Sequence, residues 1–245
     1  MGFLRTLFEP VGDLFFTAEC FHCQAPLADG EQRLCAACWA ALTPVRETDR
    51  TFRIMTERFR ADGEIDGLLS LFYFEKGKAL QTLAHALKYQ EVGSFGTELG
   101  RRLGAAALER GVTADLIVPV PLNRRKERER GYNQSDLLAG GMSAVTGVPF
   151  DPRAVRRVRY TVTQTALTAE QRRENIADAF EVRPRRRGAL RGAHVIVVDD
   201  VITTGSTVRE IARMLKQAGA ARITAASAGL AMLEGEGPAV DIEER

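Results

Sequence analysis

The sequence predicts an α/β protein in which a parallel β-sheet is flanked by helices and follows a small cysteine-rich module. Three observations support this fold class. Strand-like and helix-like segments alternate from residue 68 to residue 230, which is typical of parallel sheets covered on both faces. All four cysteines fall within residues 20–38. The 245 residues, 45% of them hydrophobic, suffice for one full domain and a small appendage.

The first segment, "MGFLRTLFEPVGDLFF", is expected to form a short amphipathic helix whose apolar side carries Phe3, Leu4, Leu7 and Phe8. Such a side packs on the protein or touches a membrane surface, and packing is the commoner use. The segment lacks a signal-peptide core, and no apolar run approaches the roughly 20 residues that cross a bilayer. We therefore expect a cytoplasmic protein, with a peripheral position on the inner face of the membrane as the alternative.

The cysteines form two CxxC pairs separated by eleven residues. Four thiolates at this spacing are typical of a tetrahedral zinc site. Two disulfides are the alternative, which a reducing cytosol opposes. Because four protein ligands leave no position open for water, we expect a structural zinc that folds the module. The predicted ligands are Cys20, Cys23, Cys35 and Cys38.

The sequence predicts three parts along the chain. Residues 1–45 hold the first helix and the four-cysteine zinc-finger-like module, residues 46–67 form a polar linker that contains "RETDR", and residues 68–245 form the sheet domain. Within the domain, strands are predicted at "LLSLFYF", "ADLIVPVP", "HVIVVDD" and "RITAASAGL". Helices are predicted at "ALQTLAHALKYQ", "FGTELGRRLGAAALERG", "SDLLAGGMSAVTG" and "TVREIARMLKQAGA".

The stretch "VIVVDDVITTGSTV", residues 195–208, carries the clearest chemical signal. Gly205 permits a turn that aims backbone N–H groups inward, and the next helix adds a partial positive charge. Hydroxyl donors surround the same turn, at Thr203, Thr204, Ser206 and Thr207. These features predict a seat for a phosphate monoester. A capping box formed by Thr207 and Glu210 is the purely structural alternative.

The two acids before this turn need a partner other than phosphate. Asp199 and Asp200 can accept hydrogen bonds from a vicinal diol or coordinate Mg²⁺ that bridges to a diphosphate. A ribose that carries both a phosphate and a diphosphate satisfies all these groups. A Walker-type nucleotide site is disfavoured, because the chain has no GxxxxGK[ST] motif.

These residues resemble the phosphoribosyl-diphosphate (PRPP) signature of type I phosphoribosyltransferases. With "VPVPLNRRKERERGYNQ", "QTALTAEQRRENIADAF" and the cysteine-rich beginning, the chain from Cys20 to about Leu230 is similar to the ComF family, also described as GntX-like or amidophosphoribosyltransferase-like. The resemblance implies a type I phosphoribosyltransferase-like sheet. It also implies that Asp199 and Asp200 face the ribose hydroxyls and that residues 203–207 wrap the 5′-phosphate.

The basic segment after "LIVPVP" is expected to lie as a loop at the carboxyl end of a neighbouring strand. Its arginines, Arg124, Arg125, Arg128 and Arg130, suit a diphosphate. A solvated helix is the alternative, because "RRKERER" places acids at helical spacing from bases. The resemblance assigns the diphosphate loop to residues 122–131.

The resemblance also assigns a mobile loop to residues 160–175, where Arg172 or Arg173 would stabilise departing diphosphate. An inert polar connection is the alternative.

Two functions follow as expectations. One is a PRPP- and Mg²⁺-binding enzyme of DNA uptake (natural competence) or transformation, which transfers phosphoribose to an acceptor that no motif specifies. The other is a non-catalytic module that binds single-stranded DNA or senses PRPP for regulation. The resemblance implies a competence helicase and recombination proteins as partners. The net charge of +2 does not by itself require nucleic acid, and the sequence leaves the oligomeric state open.

Overall fold

The computed structural model describes residues 18–31, 33–75, 80–82, 84, 93–158 and 179–233. They belong to two compact units, 1–42 and 43–245. The predicted helix at 79–90 and the predicted loop at 160–175 lie wholly or largely outside the described residues. No helix in the described ranges is both long and apolar enough to cross a membrane.

The first unit is organised around its cysteines. A short helix, α1 (Ala36–Ala40), begins directly after Cys35 and buries Cys38. Gln24 and Arg33, each close to a cysteine, have left-handed backbone angles, with φ of 61° and 67°. Such angles are uncommon outside glycine, and here they accompany two tight turns that aim the thiols inward.

The second unit contains a four-stranded sheet, a two-stranded ribbon and surrounding helices. Its helices include α2 (Arg50–Ala61), α3 (Gly93–Glu109), α4 (Arg124–Arg130), α5 (Gln134–Thr146), α6 (Arg187–Leu190) and α7 (Ser206–Gln217). Its strands include β1 (Gly67–Phe74), β2 (Leu116–Pro119), β3 (Val155–Arg157), β4 (Phe180–Val182), β5 (His194–Ile202) and β6 (Arg222–Ala231). A 3-10 turn, Pro184–Arg186, precedes α6.

The sheet has the order β1-β6-β5-β2, and all neighbouring strands are parallel. This confirms the predicted fold class and each of the four strands predicted for it. The carboxyl ends of the strands therefore meet at one edge, where ligands of open α/β sheets bind. β5 is central, and Val195–Val198 are almost completely buried, as expected of a strand covered on both faces.

Residues 46–67 differ from the polar linker that the sequence predicts. They contain α2, whose apolar residues Phe52, Met55 and Phe59 are buried in the main core. These residues recur at helical spacing just behind the polar run "RETDR", which instead supplies the start of the helix. Asp49 in that run accepts a hydrogen bond from the Tyr73 hydroxyl at 2.9 Å. The segment is therefore part of the second unit's core.

Candidate functional site

The two carboxylates lie at the carboxyl end of β5, as predicted. Val198 is fully buried, whereas Asp199 and Asp200 are half-buried. Asp199 Oδ1 accepts hydrogen bonds from the Asp200 backbone N–H at 2.9 Å and from the Ser135 hydroxyl at 3.3 Å. Asp200 Oδ1 accepts from the Val201 N–H at 2.9 Å. These bonds orient the carboxylates at the sheet edge, where both side chains are partly exposed.

The turn after β5 brings together the residues predicted to hold phosphate. Gly205 is the N-cap of α7 and has a φ of +76°. The Thr204 and Ser206 hydroxyls lie 3.1 Å apart. Thr207 lies inside α7 and the N-cap is Gly205, which has no side chain, so the capping box of Thr207 and Glu210 is wrong. The Thr204 hydroxyl accepts a long hydrogen bond, 3.5 Å, from the Ser206 N–H. Glu210 instead pairs with Arg213, with a closest N···O distance of 2.7 Å. The first N–H groups of α7 thus suit an anion.

The ring of Phe59 in α2 packs against this turn at Gly205, a contact that no motif in the sequence predicts. A Cβ atom placed on Gly205 would lie 2.6 Å from Phe59 Cζ and closer still to Cε1. The Arg209 guanidinium stacks over the same ring at 5.2 Å from its centroid. Its Nε lies 3.2 Å from Asp62 Oδ2, although not in hydrogen-bonding geometry, so this contact is an ion pair. The sequence signal that could have identified Phe59 is the helical spacing of the buried apolar residues of α2.

The segment predicted as a basic loop contains α4, which is the solvated helix that the sequence left as an alternative. Asn123 caps this helix by accepting a hydrogen bond from the Arg125 N–H at 2.9 Å. Arg125 pairs with Glu129, one turn away, at 2.9 Å, because acids and bases alternate at helical spacing. Arg128 is exposed and Arg130 half-buried. Arg172 and Arg173 lie outside the described residues.

A cavity of about 350 Å³ lies beside the carboxyl end of β2. Its lining includes Arg124 of α4, Asn133 and Asp136 at the start of α5, and Arg153 and Arg183 near the β3–β4 ribbon. The Asn133 side chain donates to Val120 O at 3.0 Å and to Asp136 Oδ1 at 2.8 Å. Since Ser135 reaches Asp199, one turn of chain connects this cavity to the β5 carboxylates. Of the predicted diphosphate residues, Arg124 is the one that lines it.

Burial raises the pKa of Asp136 to about 6; the hydrogen bond from Asn133 opposes this rise, and the Glu127 carboxylate adds to it. We therefore expect Asp136→Asn to stabilise the protein at pH 8 and to have little effect at pH 4. In the wild type, folding keeps a proton on Asp136 that the unfolded chain releases from about pH 4 upward, so stability falls as the pH rises from about 4 to 6. The gain above pH 6 should be about 1–2 kcal/mol, allowing for screening at this partly exposed position. Urea unfolding at both pH values measures it, and a pH-independent difference would contradict the assignment.

The four cysteines are brought together in the first unit. Their Sγ atoms all lie within 4.8 Å of one another, and none forms a disulfide. Burial alone would raise the pKa of the Cys20 thiol, but backbone hydrogen bonds from Cys23, Cys35 and His22 outweigh it and lower the pKa to about 6. The pKa of Cys38 is raised by burial and by the other thiols. A cluster of thiols that compete for protons in this way suits a cation that replaces those protons.

The comparisons with known proteins agree with this geometry. Residues 136–232 match the family model described as "Phosphoribosyl transferase domain", so β5, β6 and the turn after β5 lie in a domain of the phosphoribosyltransferase type. The chain is 30% identical over 227 residues to "Competence protein F" of Haemophilus influenzae, a match covering 85% of this chain and 95% of that protein. The chain belongs to the ComF family.

A second relative is "DNA utilization protein YhgH" of Escherichia coli strain K12, 40% identical over 149 residues. That match covers 59% of this chain and 64% of the relative, which is less than two thirds of its length. Among solved structures, the glutamine PRPP amidotransferase from B. subtilis is similar with a TM-score of 0.41 and 26% identity, over 59% of this chain and 30% of that one. Family membership rests on the sequence matches.

Proposed function

We propose that the carboxyl end of β5 binds PRPP, or a related phosphorylated ribose, together with Mg²⁺. One observation carries the proposal: two half-buried carboxylates at the end of β5 are followed by a hydroxyl-rich turn and by a helix whose N-cap is a glycine. The turn at 203–207 would hold the 5′-phosphate through N–H and hydroxyl donors. Asp199 and Asp200 would accept from the ribose hydroxyls.

The donor set at this edge fits Mg²⁺, because carboxylate oxygens are the hard ligands that this ion prefers. When bound, Mg²⁺ would supply positive charge that stabilises the departing diphosphate. Asp199 and Asp200 are the residues that would hold it. The hydrogen bonds from Ser135 and from the Asp200 N–H already orient the Asp199 carboxylate, so little ordering would be needed for it to hold the ion.

As a phosphoribosyltransferase, the protein would break the bond between C1 of the ribose and the diphosphate and form a bond from C1 to an acceptor. Arg130, Arg172 and Arg173 would stabilise the departing diphosphate, and Arg124 would extend this set through the 350 Å³ cavity. Arg125 supports the set less, because it is paired with Glu129. Residues 160–175 would cover the site and exclude water.

In the cell, we place the protein in DNA uptake or transformation on the cytoplasmic side of the membrane. The names of its relatives, "Competence protein F" and "DNA utilization protein YhgH", support this role. Its partners there would be a competence helicase and recombination proteins. A second candidate function is a non-catalytic one, in which the domain binds single-stranded DNA or senses PRPP; the arginines around β3 and β4 favour strand binding.

The four-cysteine cluster would hold a structural zinc ion through Cys20, Cys23, Cys35 and Cys38. The Sγ separations, all within 4.8 Å, suit ligands that share one tetrahedral ion with Zn–S bonds of about 2.3 Å. With all four positions filled by thiolates, this ion would stabilise the first unit and leave no site for substrate.

Calorimetric titration of the purified protein with PRPP in the presence of Mg²⁺ tests the proposed function. We expect binding that weakens strongly when Mg²⁺ is chelated, because the charge of the diphosphate beside Asp199 and Asp200 would then be left without a compensating cation. Ribose 5-phosphate should bind more weakly and without this Mg²⁺ dependence. Release of diphosphate in the presence of candidate bases and amines then distinguishes the enzyme from the PRPP sensor. No PRPP binding with Mg²⁺ present would refute the proposal.

A further inference from the structure

The β3–β4 ribbon carries a strongly basic groove that no sequence motif predicted. A cavity of about 610 Å³ is lined by Arg153, Arg156, Arg183, Arg185 and Arg186, with Glu181 the acid among its described lining residues. Three of these arginines, at 153, 156 and 183, also line the 350 Å³ cavity beside β2. We call the two adjoining cavities the arginine groove. It extends from α4 across the ribbon to the 3-10 turn.

Part of this charge is not neutralised within the described structure. Arg156 pairs with Glu181 at 2.7 Å and Arg186 with Asp151 at 3.0 Å. Arg153, Arg183 and Arg185 have no side-chain partner among the described residues, and the Nε of Arg183 is buried without a hydrogen bond. The arginines of the groove outnumber its acids, which are Glu127, Asp136 and Glu181. Guanidinium groups in excess over acids are suited to phosphate, which they bind through paired donors.

The lining also indicates which part of a nucleic acid would be recognised. None of the described residues along either cavity is aromatic, whereas proteins that grip the bases of a single strand stack them on aromatic rings. Phe180, in the ribbon itself, is buried beneath the Arg157 guanidinium at 5.3 Å. Charge without stacking surfaces favours contact with the sugar–phosphate backbone, which is independent of base sequence.

The dimensions favour a single strand over a duplex. Each cavity has the volume of a small-molecule site, and the two share the lining residues Arg153, Arg156 and Arg183. A flexible strand can lie along such a groove, whereas a duplex would contact its rim.

We propose that the arginine groove binds one nucleic-acid strand through its phosphates, without reading its bases. This rests on the strand-binding candidate function above and names the surface that performs it. The groove is distinct from the turn at 203–207 that would hold the 5′-phosphate. Arg124, which lines the 350 Å³ cavity, is the residue that the two proposals share, whereas Arg153 and Arg185 are assigned to the strand alone.

The test compares Arg153→Gln/Arg185→Gln with Arg53→Gln/Arg101→Gln in the full chain. Both pairs are exposed and lack side-chain partners among the described residues, but Arg53 and Arg101 lie on α2 and α3, away from the groove lining. Fluorescence anisotropy with labelled oligothymidylate and with a mixed-sequence strand, over a salt series, gives the affinities. The groove variant should bind on the order of tenfold more weakly at low salt. Its plot of log K against log salt should be shallower by about 1.4, since each lost phosphate contact removes about 0.7.

The control variant should match the wild type, and both strands should bind alike. Unchanged binding by the groove variant would refute the arginine groove as the binding surface, while strand binding by the protein would stand. No strand binding by the wild type would overturn both. A clear preference between the two strands would overturn recognition through phosphates alone. PRPP titration of the groove variant, expected to match the wild type, reports that fold and phosphate site are intact.

Discussion

Replacing Asp200 with asparagine is expected to weaken Mg²⁺-dependent PRPP binding by on the order of 100-fold. The substitution keeps the shape of the side chain and the oxygen that accepts from the Val201 N–H at 2.9 Å. It removes the negative charge that would bind Mg²⁺ and accept from a ribose hydroxyl. Hydrogen bonds to charged groups contribute about 1.5–3 kcal/mol, which corresponds to roughly 10- to 150-fold in affinity. Calorimetric titration at fixed Mg²⁺ measures the loss.

Asp115→Asn is the matched control. Its carboxylate also bonds to the backbone, accepting from the His194 N–H at 2.8 Å, but it lies at the opposite, amino end of β5. Its PRPP affinity should equal that of the wild type. If Asp200→Asn bound PRPP as tightly as Asp115→Asn, the carboxylates of β5 would not belong to the ligand site.

Gly205→Ala is expected to lower the free energy of unfolding by about 3 kcal/mol or more. The φ of +76° costs an alanine about 1–2 kcal/mol. The added methyl group would also overlap the Phe59 ring, at 2.6 Å from Cζ. Overpacking a buried position costs a further 1–3 kcal/mol, roughly. Phe59 is 1% exposed, so the ring has little room to retreat. Urea denaturation measures the loss.

Gly147→Ala separates the two causes. Gly147 follows α5 with a φ of +73°, and no atom lies within 4 Å of the position its Cβ would take. This variant should show the backbone cost alone, about 1–2 kcal/mol. Combining Gly205→Ala with Phe59→Ala should remove the overlap, so that the double variant loses less than the sum of the two single losses. Equal losses in Gly205→Ala and Gly147→Ala would show that Phe59 does not constrain the turn.

The sheet and the β5 edge could be predicted from sequence because their signals are local. "VIVVDD" is a buried strand by its unbroken apolar run, and the glycine, threonines and serine after it specify a turn by composition. The CxxC pairs likewise predict that Cys20, Cys23, Cys35 and Cys38 meet, and the structure confirms that they do. In each case neighbouring residues contain the information. The roles assigned to these residues stay predictions.

The remaining features depend on contacts between distant segments. Phe59 and Gly205 lie far apart in the sequence, and nothing in either segment indicates that they touch. The arginine groove arises because β3 and β4 pair antiparallel, with Arg156 opposite Glu181, which brings the 153–157 and 181–186 arginines together. At 122–131 only the secondary structure differs from the predicted loop, because the i,i+4 pair of Arg125 and Glu129 favours α4. The diphosphate role assigned to this segment stays a prediction.

The contact between Phe59 and Gly205 also determines where the second unit can be separated from the first. A fragment that starts at residue 68, the first residue of the predicted sheet domain, retains every residue of the PRPP motif. It loses Phe59, whose ring packs against the turn at Gly205. The turn would then rest on an open gap, free to collapse or to bind water. A fragment that starts at residue 43 is longer by α2 and retains Phe59, so it is the fragment in which PRPP binding should be tested.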